Sequence, residues 1–298
     1  AILAKGKLEP KYLTIQYFNQ EKGWNICWMC EHLNISRASY YKWLNREKPE
    51  TELENEKIAE WIREYDQKFN HILGYRRMRN YINRDKNKCY SKRRIQRIMR
   101  ILGVKSIIRK KRRPYHRSTP ETVADNILHR QFEAFRPNEK WTTDVTEFKV
   151  PHSDKKLYLS AIVDLYDKSV VSYVLSNHND NKLVNDTFEL AIKNNPNATP
   201  LVHSDRGYQY TNKTFKCKLN DWGITQSMSR VGCCIDNGPT EGFWGTIKSE
   251  MYYLNKFYTT DNLINSIVEY IEFYNNKRFQ AILKSLTPIE YRNQALLA

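Results

Sequence analysis

The sequence predicts an α/β protein, a mixed β-sheet with helices packed on it, preceded by all-α helix-turn-helix segments. Three observations carry this. Up to about Gly103, apolar residues recur at helical spacing. Near Pro137 the pattern changes to β-branched, alternating runs. Charge is segregated as well. Between Arg76 and Ser118 lie 18 Lys or Arg and a single acid, Asp85, while the other 255 of the 298 residues hold 31 basic and 32 acidic side chains. The net charge of +16 therefore sits in one segment, which points to a polyanionic partner, above all nucleic acid.

The first segment, residues 1–48, contains "NICWMCEHLNISRASYYKWLNR". Ile26, Met29, Cys30 and Leu33 keep the helical period, and "LNIS" breaks it. Ser36 is a good N-cap for a second helix carrying Tyr40, Trp43 and Leu44. This is the grammar of a helix-turn-helix, whose second helix enters a major groove. Arg37 and Lys42 on that helix are candidate DNA contacts. A plain helical hairpin would read the same way.

Residues 49–106 form a second helical, strongly basic candidate. The core side of its first helix is Leu53, Ile58, Trp61, Ile62 and Tyr65. "GYRRMRNYINR" follows, then a helix capped by Ser91 and stopped by Gly103, with Ile95, Ile98, Met99 and Leu102 inward. Arg76, Arg77, Arg93, Arg94 and Arg97 are candidate phosphate contacts, giving salt-sensitive and largely sequence-independent affinity. Residues 107–135 lack an apolar period and read as a basic linker, with Lys110, Lys111, Arg112 and Arg113 as further contacts.

Residues 136–258 read as strand (140–150), turn, strand (157–166), strand (169–176), helix (180–195), strand (199–205), helix (212–223), strand (224–227) and helix from about 239. Residues 259–298 add a long helix and a tail. Three acids sit at functional places in this order. Asp144 lies inside the first strand, Asp205 just past the fourth, and Glu241 at the start of a helix. If strands one and four are neighbours, Asp144 and Asp205 converge. Clustered carboxylates repel unless cations neutralise them, and oxygen ligands with few histidines favour Mg²⁺ or Mn²⁺. Two such ions suit phosphoryl transfer.

Four stretches resemble the second-frame product of the insertion-sequence-3 transposases, within the DDE transposase and retroviral integrase superfamily. They are the lead-in "VADNILHRQFEAFRPNEKWTTDVTEF", then "HSDRGYQYTN", "MSRVGCCIDNGPTEGFWGTIKSE" and "FYNNKRFQAILKSLTPIEYR". Asp205 and Glu241 are separated by 35 residues, the family's usual interval. The resemblance covers residues 25 to 293. It implies an RNase H-like core in which Asp144, Asp205 and Glu241 bind two Mg²⁺ or Mn²⁺ ions and cleave and rejoin DNA strands. It also implies Lys248 beside a phosphate, two turns after Glu241. The implied partners are double-stranded DNA, as element ends and target, and a second copy of the chain. The implied setting is the prokaryotic cytoplasm, at the nucleoid. Where the family commonly has Ser after the Glu, this chain has Gly242, which costs little in a first turn.

Other residues read as structural. Cys27 and Cys30 have no second pair at zinc-finger spacing and belong to helix core. Asp164 and Glu147 could be mistaken for the first catalytic acid; Asp164 ends a core strand and is expected to be structural, and Glu147, His152, His178 and His203 receive no role. Glu250 lies about 180° around the helix from Glu241 and cannot share its site. Asp236 reads as a residue that shapes the loop before the helix or as a partner to the site's ligands, and the sequence does not choose between them. No run approaches the roughly 20 apolar residues that span a bilayer, so no membrane partner is expected. The charge alone would also suit a non-catalytic helix-turn-helix protein or a decayed transposase. Three acids at these intervals favour the enzyme.

Overall fold

The computed structural model describes residues 8–107, 125–129, 131–150, 155–230 and 237–296. It divides into two compact units, Ala1–Ile108 and Arg109–Ala298. Among the described residues no helix is long and apolar enough to cross a membrane.

The N-terminal unit is helical. Helices α1 (Glu9–Lys22), α2 (Ile26–His32) and α3 (Arg37–Leu44) enclose a small core of Tyr12, Ile15, Met29, Cys30 and Tyr40. Ser36 caps α3 as expected, accepting the Ser39 N–H at 3.2 Å. Leu44, expected inward, is 41% exposed, because the core beneath α3 is filled by Tyr40 and Trp43. Cys30 is buried, whereas Cys27 is only half-buried, with its thiol facing Glu31.

Three more helices follow, α4 (Glu50–Lys68), α5 (Tyr75–Asp85) and α6 (Lys92–Ile101). Ile58, Ile62, Met78, Ile82, Ile95 and Ile98 are fully buried. Leu53, in the first turn of α4, is 45% exposed and outside that core. The α5–α6 connection is pinned by Asn83, whose side chain both accepts the Tyr90 N–H and donates to the Tyr90 carbonyl. Ser91 caps α6, and Gly103 ends it at φ +70°.

The C-terminal unit is built on a five-stranded mixed sheet. Strands β1 (Lys140–Lys149), β2 (Lys156–Asp164) and β3 (Val170–Ser176) are antiparallel neighbours. After helix α7 (Asn181–Asn194), strand β4 (Leu201–Ser204) pairs with β1 in parallel. Helix α8 (Lys213–Asp221) then leads to β5 (Thr225–Met228), parallel to β4. The order across the sheet is β3-β2-β1-β4-β5. Helix α9 (Gly238–Ile247) runs into a π-helical turn (Lys248–Tyr252), followed by α10 (Thr260–Asn276), a 3₁₀ turn (Ala281–Leu283) and α11 (Pro288–Leu296).

Strand alternation sorts the two faces of this sheet. Leu157, Leu159, Ala161 and Val163 pack with Phe243, Ile247, Ile267 and Ile271 of α9 and α10. Trp141, Ile162 and Val202 pack on the opposite side with Val184, Phe188, Phe215 and Leu219 of α7 and α8. Each face buries its own apolar cluster, so the sheet is rigid at its centre, where β1 runs.

Candidate active site

The strand order decides the first question. Because β4 lies beside β1 in parallel register, with Thr143 opposite Ser204, the residue that follows each is an acid, Asp144 within β1 and Asp205 just past the end of β4. The Asp205 loop is tight: its Oδ1 accepts the Gly207 N–H at 2.8 Å. A Cβ at Gly207 would stand 3.0 Å from that oxygen and 2.9 Å from Gln209 Oε1, so a side chain there would make the Asp205 or Gln209 side chain shift. Behind the pair, Tyr210 is buried with its hydroxyl 3.2 Å from Thr143 Oγ1.

Asp144 carries the electrostatic consequence. Burial, then the neighbouring Asp205 charge, pushes its carboxyl up to about 7, and the Glu241 charge adds to the rise. Two donors oppose it. The Val145 N–H reaches Oδ1 at 2.8 Å, and the Trp244 indole N–H reaches Oδ2 at 3.1 Å.

Helix α9 runs along β1. Trp244 meets Asp144, Lys248 Nζ donates to Thr146 Oγ1 at 2.6 Å, and Tyr252 bonds the backbone of Lys149. From the Trp244 rung to the Lys248 rung, four helical residues rise about 6 Å against about 6.7 Å for the two strand residues from Asp144 to Thr146, so these two rungs match. Glu241, one turn before Trp244, is exposed in the first turn of α9. Among the described residues no three His, Cys, Asp or Glu side chains stand close enough to hold one metal ion.

Residues 134–234 and 241–296 match models of the integrase core domain, and residues 52–112 match that of an HTH-like domain. The putative transposase InsK for insertion sequence element IS150 of Escherichia coli is 44% identical over 225 residues, covering 75% of this chain and 78% of that protein. The chain belongs to the insertion-sequence-3 transposase family. An uncharacterized transposase-like protein of Haemophilus influenzae is 41% identical, covering 68% of this chain and 93% of that protein. The HTLV-2 integrase catalytic core, solved with magnesium in a dimeric form, covers 53% of this chain and 97% of that one at 22% identity, with a TM-score of 0.41. The transposase is thus of the DDE class, with an integrase core and an HTH-like DNA-binding region.

Other acids of the transposase fall into fixed partnerships. Glu250 makes a bidentate pair with Arg278 at 2.8 and 2.9 Å and accepts the Tyr270 hydroxyl at 3.0 Å, facing α10 and away from Asp144. Asp164 and Asp167 share Arg292 of α11. Glu147 pairs with Lys156 at 3.2 Å. His203 is buried between the Ser227 and Ser229 hydroxyls. Cys233, Cys234, Asp236 and His152 lie outside the described residues, as do Lys110, Lys111, Arg112 and Arg113.

The remaining cations divide. Arg37, Lys42, Arg76, Arg93 and Arg97 are exposed. Arg94 is turned inward, with Nε on Asn55 Oδ1 at 2.9 Å, a second nitrogen on Glu54 at 2.6 Å, and its guanidinium over the Tyr90 ring. Arg77 donates to the Ile72 carbonyl at 2.8 Å. Positions 77 and 94 lie on flanks of their helices that face the unit rather than solvent, which a count of basic residues does not reveal. Sequence reading also missed the Trp244 donor. Its signal was an indole three residues after Glu241, hence on the same helix face.

Proposed function

We propose that Asp144, Asp205 and Glu241 are the catalytic carboxylates of this transposase and hold two divalent ions, Mg²⁺ or Mn²⁺. One observation carries the reading. Parallel pairing sets Asp144 beside Asp205, and the helix bonded to Asp144 brings Glu241 one turn away. The donor set fits hard cations, since it is all carboxylate oxygen. When bound, such ions would activate the attacking oxygen and stabilise the leaving oxygen of a phosphodiester.

The chain's own groups supply the rest. Asp144 is held on a rigid strand, and Asp205 in the tight loop just past β4, by the donors described above. Lys248, aligned along β1 beside Thr146, is the cation for the phosphate next to the one attacked. The exposed cations of α3, α5 and α6 neutralise DNA phosphates. Water attacks first and frees a 3′-OH at the element end. That 3′-OH then attacks a target phosphate, the target's own 3′ oxygen leaving. Two ends must be held together, so the working form is at least a dimer on DNA, in the prokaryotic cytoplasm at the nucleoid.

The test combines the protein, Mg²⁺ or Mn²⁺, a duplex bearing the element end and a target plasmid. Strand-transfer products that vanish in Glu241→Gln are expected. Nicking without joining would indicate a nuclease. DNA binding without cleavage under either metal would identify a non-catalytic binding protein.

A further inference from the structure

Trp244 stands one turn after Glu241 and donates its indole N–H to Oδ2 of Asp144 at 3.1 Å. The other oxygen, Oδ1, accepts the Val145 N–H at 2.8 Å. Both oxygens of this carboxylate therefore carry a protein donor. Each still has a lone pair left, because an ionised carboxylate offers about four acceptor positions. The torsion of the side chain is set by the protein, and the remaining lone pairs are left for another partner.

The indole itself is fixed. Trp244 is 6% exposed within the cluster between sheet and helices, 5.0 Å from the Phe243 ring. The next rung, Lys248 at the start of the π-helical turn on Thr146, sets the end of the helix against β1 independently. A donor this well placed, on a group at the site, does more than fill space.

We propose that Trp244 is a positioning residue for the divalent cation. Its N–H holds Asp144 in the orientation that presents the free lone pairs to the ion. This rests on the reading of Asp144 as a metal ligand. Donors of this kind behind a ligand are worth 10- to 100-fold in metal affinity or activity.

Two variants of the full chain separate the N–H from the bulk. Trp244→Phe keeps an aromatic ring and loses the donor, whereas Trp244→Leu loses both. Mn²⁺ binding is measured from the electron paramagnetic resonance of the free ion. The expected result is binding weakened about 10- to 100-fold in both variants, with cleavage by Trp244→Phe restored by raised Mn²⁺. A fall confined to Trp244→Leu would show that packing matters and the N–H does not, which overturns the proposal. So would Trp244→Phe binding Mn²⁺ as tightly as the parent. A parent that binds no Mn²⁺ removes the metal-site reading and this inference with it.

A measurement on the parent does not depend on either variant folding. With indole nitrogens labelled, one tryptophan N–H resonance should move when Mg²⁺ is added, and the same resonance should be displaced in Asp144→Asn. No indole responding to Mg²⁺ would overturn the proposal.

Discussion

Two pairs of aspartates, one buried and one half-buried, lie at strand positions or just past strand ends of the same sheet, and the protein treats them in opposite ways. Asp164 and Asp167, at the end of β2, share the Arg292 guanidinium at 2.9 and 3.0 Å. Burial and the Asp167 charge push Asp164 up to about 6, opposed by the Asn138 and Tyr166 backbone N–H groups and by Arg292. Asp144 is pushed to about 7 by burial and Asp205, opposed by the Val145 and Trp244 N–H groups. The first pair is completed by a permanent cation and ties α11 to the sheet. The second is steadied by neutral donors that leave its charge in place. A fixed cation makes an aspartate pair part of the scaffold, while neutral donors keep it available for chemistry.

The largest effect should come from the second pair. Asp144→Asn, Asp205→Asn or Glu241→Gln should each lower strand transfer by on the order of 10³-fold or more. Binding to end-bearing duplex, followed by fluorescence anisotropy, should change little. A variant that still joins strands at near-parental rate would break the comparison at its functional side.

Arg292→Ala tests the other side. Removing one partner of a buried pair costs about 3–5 kcal/mol, here read by urea unfolding of the full chain. The pH dependence has a definite sign. A carboxyl whose folded-state pKa is raised stabilises the fold in its protonated form. That contribution is complete below the ordinary 3.8 and is lost as pH rises through about 6. Loss of the guanidinium pushes Asp164 higher still, so Arg292→Ala should regain stability as pH falls from about 7 toward 4. Stability independent of pH over this range would show that Asp164 stays ionised in the folded variant.

Much of this was legible in the sequence. β1 could be read because its run is rich in Thr, Val and Phe, and α6 because Ser91 caps it and Gly103 stops it. Asp144 and Asp205 could be named, but their convergence depended on β1 and β4 being neighbours, a tertiary fact no local pattern states. Asp164 could be set aside as structural without its partner being visible, since Arg292 lies 128 residues away. Glu250 was excluded by helical angle alone, while Arg278, which explains it, needed the fold. The π-helical turn after α9 leaves no mark in composition.

That Glu250–Arg278 pair gives an intermediate case, a fixed cation just past α10 that holds Glu250, in the π-helical turn continuing the helix that carries Glu241. The two side chains are 11% and 15% exposed. Arg278→Lys keeps the charge and loses the two-point geometry, so unfolding should cost about 2 kcal/mol. If the pair also holds α9 in register, strand transfer should fall in Arg278→Lys even at temperatures where the protein is fully folded. An unchanged rate would confine the pair to stability.

The smallest effects, and the sharpest contrast, lie on α6, where the same division between inward and outward charge is made one residue apart. Arg93 is exposed, and Arg94 is bound to Glu54 and Asn55. Each phosphate contact contributes about one counterion to the salt dependence of DNA binding. Arg93→Ala should therefore reduce the slope of log affinity against log salt by about 1 and leave the melting temperature where it was. Arg94→Ala should do the reverse, lowering the melting temperature and leaving the slope intact, because its charge is already answered within the unit. The two variants differ by one position and remove the same charge. Equal changes in slope would mean that Arg94 leaves Glu54 to reach DNA, and that an inward partner does not by itself withdraw a cation from binding.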